Sequence, residues 1–145
     1  MSDRAMSDRV MVDSNVLIDL VEPDSRWYGW SARAVAECGK RSILAIDPII
    51  YSEISAGFER IEEVEAAFPE EYFERRPLPW EAVFLAGKVH QRYRRSGGSR
   101  QATLPDFFIG AHALIEGMTL LTRDCTLYRM CFPNLRLIAP ESGEL

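Results

Sequence analysis

Val10-Met11-Val12-Asp13-Ser14-Asn15 is an apolar run that ends abruptly in three polar residues. It reads as a buried strand entering a turn. Thr119-Leu120-Leu121-Thr122-Arg123-Asp124 has the same form towards the other end of the chain. Each run delivers an aspartate just past its last apolar residues. In a parallel sheet, sites form beyond the carboxyl ends of the strands, so Asp13 and Asp124 are expected at one edge.

The residues between these runs predict such a sheet. Val16-Leu17-Ile18 and Leu20-Val21 form a short helix stopped by Pro23-Asp24-Ser25. Trp27 to Cys38 has helical spacing, with Gly39 as its C-cap. Ile43-Leu44-Ala45-Ile46 is a second strand; Asp47 then caps a helix that carries Pro48 in its first turn and runs to about Ala56. A further helix covers Arg60 to Ala67, and a proline-limited edge strand lies within Phe73 to Leu78. Trp80 to Arg94 is amphipathic, with Val83, Phe84, Ala86, Gly87, Val89, His90 and Tyr93 on its inner side. Ser96-Gly97-Gly98-Ser99 breaks it as a mobile loop. Pro105 restarts a helix that runs through Ile115 to Gly117, and Leu135 to Ile138 is the last strand. Strands alternating with helices predict an α/β fold, a mainly parallel sheet of about five strands with helices on both faces.

The chain has 145 residues, 47% of them hydrophobic, enough for one compact core. The expected division is a flexible leader over 1–9, a single domain over 10–140 and a tail over 141–145. Within the leader, Met1-Ser2-Asp3-Arg4 is echoed by Met6-Ser7-Asp8-Arg9. No apolar run approaches the roughly 20 residues of a membrane span, and the start lacks a signal-type stretch, so a cytoplasmic protein is expected. Cys38, Cys125 and Cys131 show no paired spacing, and His90 and His112 are the only histidines. Structural zinc and a disulfide framework are therefore poor readings. The net charge of −5 argues against a nucleic-acid coat with a broad basic face. It does not exclude a nuclease, because a bound metal reverses the field of a carboxylate cluster.

Two more acids join the pair at the strand ends. Glu53 lies about one and a half turns into the helix after the second strand. Asp106 lies in the first turn of its own helix, where the dipole favours negative charge. Clustered carboxylates repel unless something positive sits between them, and a hard divalent cation such as Mg²⁺ is the usual answer. Each acid alone has a plainer explanation: Asp13 an Asx-turn, Glu53 an exposed helix face, Asp106 a helix start, Asp124 a solvated turn. Together they point to metal-dependent phosphodiester chemistry.

At these residues the chain resembles the PIN-domain ribonucleases, and specifically the VapC-type toxins of type II toxin–antitoxin pairs. The resemblance runs from Val10 to Ala139. It is carried by Val12-Asp13-Ser14-Asn15-Val16-Leu17-Ile18, by Glu53 in Ser52-Glu53-Ile54, by Leu104-Pro105-Asp106-Phe107-Phe108-Ile109-Gly110-Ala111-His112-Ala113, and by Leu120-Leu121-Thr122-Arg123-Asp124. It implies a PIN-like three-layer α/β/α sandwich and an endoribonuclease. It also implies that Asp13, Glu53, Asp106 and Asp124 hold one or two Mg²⁺ or Mn²⁺ ions, with Ser14, Asn15 and Thr122 shaping the pocket. An RNA substrate, a VapB-like antitoxin and a homodimer follow from the same resemblance. Many relatives carry another acid shortly after the fourth, whereas Cys125-Thr126-Leu127-Tyr128 supplies none.

Other features have two readings each. Arg92, Arg94, Arg95 and Arg100 either guide an RNA backbone or end a helix where cations suit the dipole. Trp27, Tyr28 and Trp30 are read as packing residues, with an antitoxin groove as the alternative. His112 is read as a satisfied core histidine, Asp19 as a helix-surface acid and Asp47 as an N-cap. A haloacid-dehalogenase-type phosphatase needs a second aspartate where Asn15 stands. A non-catalytic PIN-like module that binds RNA or protein is the alternative of a different class.

Overall fold

The computed structural model describes residues 8–98 and 102–141. Most of the expected leader, Ser99 and Arg100 of the glycine-rich loop, and nearly all of the expected tail lie outside the described residues. The elements are β1 (Arg9–Val12), α1 (Ser14–Val21), α2 (Tyr28–Arg41), β2 (Ile43–Ile46), α3 (Pro48–Ser55), α4 (Ile61–Ala67), β3 (Glu74–Arg75), α5 (Trp80–Arg95), α6 (Leu104–Ile115), β4 (Thr119–Leu121), α7 (Thr126–Cys131) and β5 (Leu137–Ile138). β1 therefore begins at Arg9, inside the stretch read as leader.

All five strands are parallel, in the order β3-β2-β1-β4-β5, within a three-layer α/β/α sandwich. The chain builds outward from β1 through β2 to β3, then crosses back to lay β4 and β5 on the other side. The order reverses between β1 and β4, which is the switch point where the ends of a doubly wound sheet open into a crevice. Val12 pairs with Leu121 there, and the Asp13 N–H donates to the Leu121 carbonyl at 2.9 Å.

Apolar runs buried on both faces explain why the central strands form: Val10, Met11, Val12, Ala45, Ile46, Leu120 and Leu121 are all in the core. Three helix expectations are corrected. α2 continues through Gly39 to Arg41, and Ser42 closes it by donating to the Cys38 carbonyl. α5 buries Ala82, Ala86 and Val89, while Phe84 is 69% exposed and Gly87 is exposed. Small residues on that face let α5 lie close along α6, whose Phe107 ring fills the space against His90 and Tyr93. The third is α7, which the sequence reading did not contain.

Trp30 is buried and meets Trp27 edge-to-face at 6.3 Å, so this aromatic pair packs internally. His112 is fully buried, its Nδ1 2.8 Å from Asp47 and its Nε2 2.9 Å from Glu116. Asp47 also caps α3 by accepting the Ile50 N–H at 2.9 Å.

A carboxylate cleft at the switch point

The sharp exit from β1 places Asp13 as the N-cap of α1, 3% exposed. Its Oδ1 accepts the Ser14 N–H at 2.8 Å. Its Oδ2 accepts the Thr122 hydroxyl at 2.8 Å, the Tyr128 hydroxyl at 3.0 Å and, more distantly, the Asn15 amide at 3.5 Å. Burial, partly countered by these donors, pushes Asp13 up to about 6. Oδ2 is thus crowded with donors, whereas Oδ1 keeps a lone pair for another ligand.

Thr122 emerges from β4 beside Asp13, as the strand register requires. Its Oγ1 also accepts the Asp124 N–H at 3.2 Å and the Asn15 amide at 3.2 Å. Ser14 turns the other way, its hydroxyl donating to Glu53 Oε1 at 2.7 Å. Glu53 is raised above its ordinary value by burial, with the Asp106 and Asp47 charges adding to the rise. Asp106 is likewise raised, by burial first and the Asp124 charge last. The Thr103 N–H and hydroxyl both donate to Asp106 Oδ2 at 3.2 Å, so this acid also closes the start of its own helix.

Asp13, Asp106 and Asp124 line one cleft of about 180 Å³, together with Asn15, Tyr93, Ala102 and the α7 residues Leu127, Tyr128 and Met130. Glu53 does not line it; it is joined to the set through Ser14. Among the described residues, no three acidic, histidine or cysteine side chains converge tightly enough to grip an ion together. Nor does any lysine or arginine among the described residues pair with these four acids. The donors are all hard carboxylate oxygens, which fits Mg²⁺ or Mn²⁺ rather than zinc.

Two side chains near the cleft escaped the sequence reading. Tyr128 is buried and bonds Asp13 directly. Burial and the neighbouring Asp13 charge hold its phenol well above the usual range. Asp19 is corrected from a surface acid to a buried one, 1% exposed and paired with Arg123 at 2.8 Å. The arginines of α5 stand apart from the cleft: Arg92, Arg94 and Arg95 are exposed in its last turn. Arg94 and Arg95 line a separate surface with Gly87, His90 and Gln91.

The PIN domain model matches residues 10–133. No curated protein sequence matches the chain. Solved structures are similar in fold. One is the VapBC2 complex of Rickettsia felis bound to a promoter DNA fragment, with TM-score 0.72, 18% identity and coverage of 92% of this chain and 99% of that one. Another is VapBC-1 of nontypeable Haemophilus influenzae, with TM-score 0.69, 18% identity, and 90% and 97% covered. A toxin–antitoxin complex from Klebsiella pneumoniae gives 0.66, 20%, and 94% and 99%.

Proposed function

The chain belongs to the PIN-domain family, and on that footing we propose that it is a metal-dependent endoribonuclease acting as the toxin of a toxin–antitoxin pair. One observation carries the reading. Asp13, Asp106 and Asp124 line a single cleft and Glu53 is tied to it through Ser14; three of the four are raised by burial, and none has a basic partner among the described residues. Such a set is unfavourable in isolation and favourable around a divalent cation.

Asp13, Asp106 and Asp124 would hold one or two Mg²⁺ or Mn²⁺ ions, with Glu53 completing the set. When bound, the metal lowers the pKa of a water and offsets charge building on the phosphate. The chain's own residues do the positioning. Thr122, Tyr128 and Asn15 fix one oxygen of Asp13, and the other, which accepts only the Ser14 N–H among the described residues, keeps a lone pair for a ligand. Ser14 orients Glu53. Asp106 reaches the cleft from the first turn of α6, where the helix dipole supports its charge. The exposed arginines at the end of α5, with Arg100, supply positive charge for an RNA backbone.

The solved structures similar in fold are VapBC and other toxin–antitoxin complexes. By that likeness the chain would pair with a VapB-like antitoxin; its resemblance to VapC-type toxins implies in addition a homodimer and a cytoplasmic location. The turn of Asp106 towards Thr103 favours a second reading, a non-catalytic module that binds RNA or protein on the same fold.

Purified protein tested on a labelled RNA pool, with Mg²⁺, with Mn²⁺ and with EDTA, separates the two. Nuclease action gives discrete fragments that need metal and vanish in Asp106→Asn. Folded, antitoxin-free protein that cuts nothing, or a variant that cuts as well as the parent, refutes the nuclease assignment.

A further inference from the structure

We infer that Arg123 and Asp19 are a positioning pair that sets the direction of Asp124 in the cleft; this rests on the reading that Asp124 helps to hold the metal. Among the described residues nothing bonds the exposed Asp124 carboxylate, so what directs this side chain towards the cleft is its Cα–Cβ bond, set by the backbone on either side of it. That backbone is anchored through its neighbours. Thr122 is tied to Asp13, and the Arg123 N–H donates to Asn15 Oδ1 at 3.3 Å. The Arg123 side chain then reaches along α1 to Asp19, donating from Nε to Oδ2 at 2.8 Å and from Nη2 to Oδ1 at 3.2 Å.

The receiving carboxylate is itself held still. Ser25 donates to Oδ1 at 2.8 Å and Ser31 to Oδ2 at 2.6 Å. Both oxygens of Asp19 are therefore filled from inside the protein, and the group is too enclosed to bind a ligand of its own. The Arg123 guanidinium also lies 5.8 Å from the centre of the Trp27 ring. A planar, two-pronged donor seated against a fixed carboxylate and a ring has little freedom. α1 thus grips the exit of β4 at both its ends: Asp13 and Asn15 hold Thr122 and the Arg123 backbone, and Asp19 holds the Arg123 side chain. Asp124 follows directly in the chain, so the separation between Asp13 and Asp124 is set by this clamp.

Arg123→Lys keeps the charge and loses the fork; Asp19→Asn keeps the volume and loses the charge. Mn²⁺ dissociation constants are measured on the folded full chain, well below its melting temperature, for both variants and for the double variant. Residues that orient metal ligands typically change affinity roughly 10–100-fold. Each single variant should weaken Mn²⁺ by about tenfold, and the double by no more than the weaker single, because the pair acts as one unit.

Folded single variants that bind Mn²⁺ like the parent overturn the proposal, leaving the cluster a structural one. RNA-binding losses that add in the double variant also overturn it, since Arg123 would then be touching RNA itself. If the parent binds Mn²⁺ but cuts no RNA, the nuclease reading falls while the Mn²⁺ series still decides this one. A parent that binds no Mn²⁺ overturns both.

Discussion

Replacing Asp13 by asparagine should make the metal-free protein more stable and the metal-loaded protein less so. Burial raises Asp13 from its ordinary 3.8 to about 6. At about 1.4 kcal/mol per pH unit, that rise means the ionised carboxyl destabilises the fold by about 3 kcal/mol at neutral pH. The sign follows from proton linkage. Between about pH 3.8 and 6 the native state holds this proton more tightly than the unfolded chain. Stability from this site is therefore greatest below that window and is lost as pH rises through 6. Asparagine carries no charge and removes the penalty. Its side-chain oxygen can still accept from Thr122 and Tyr128, but its amino group then faces the Ser14 N–H, a loss of about 1–2 kcal/mol. The net gain for Asp13→Asn without metal is about 1–2 kcal/mol. At roughly 2–4 °C per kcal/mol for a domain near this size, that is a few degrees.

The assay is thermal unfolding of both proteins in EDTA and in saturating Mn²⁺, at pH 7.5 and at pH 4.5. In EDTA at pH 7.5 the variant should melt higher, and its advantage should shrink at pH 4.5. Comparing the two proteins cancels Glu65 and Glu74, which are lowered by bonds to Tyr51 and Arg9 and shift stability the opposite way. Mn²⁺ should raise the parent, by about 2.7 kcal/mol at a hundredfold excess over its dissociation constant, and leave the variant unmoved. The order of melting then reverses. A variant less stable than the parent in EDTA at pH 7.5, or a difference that ignores pH, would refute the reasoning.

Tyr128→Phe removes a hydroxyl from a buried charge and should lower stability by about 1.5–3 kcal/mol in metal-free urea unfolding; an unchanged midpoint would mean that the Asp13 bond contributes nothing. Gly110→Ala would bring a methyl group within 2.6 Å of the buried Phe132 ring. Such overpacking costs about 1–3 kcal/mol, read as a lower denaturant midpoint with the slope unchanged. His112→Ala leaves Asp47 and Glu116 facing an empty space and should cost about 3–5 kcal/mol. RNA cleavage per folded molecule should survive it, and a selective loss of turnover would reassign His112 to catalysis.

The exits of β1 and β4 were legible because a short apolar run punctuated by polar residues leaves little choice of structure. Asp13, Asp106 and Asp124 line the cleft, while Glu53 joins them only through Ser14. α7 was not legible. Six residues make too few turns to show a period, and Tyr128 was hidden with it. Asp19 was misread for a different reason: it follows Ile18 within a helix, and its partner Arg123 lies 104 residues away. No local pattern reports a bond of that separation. On α5 the apolar residues span too wide an arc to name one face. Helix-to-helix distance decided it, selecting Ala82 and Ala86 over Phe84.

Among the described residues, the buried aspartates are Asp13, Asp19 and Asp47, at 3%, 1% and 2% exposure. Exposure does not distinguish them, but their partners do. Asp19 meets a guanidinium and Asp47 meets an imidazole, whereas Asp13 meets only neutral donors. A carboxylate kept for structure is best placed against a base, as two of these are. The same substitution should therefore have opposite signs at sites that look alike by burial. Asp19→Asn and Asp47→Asn remove one half of a pair and should destabilise, while Asp13→Asn removes an uncompensated charge and should stabilise. If all three lowered the metal-free melting temperature alike, Asp13 would be one more structural cap, and the case for a cation at the switch point would lose its energetic basis.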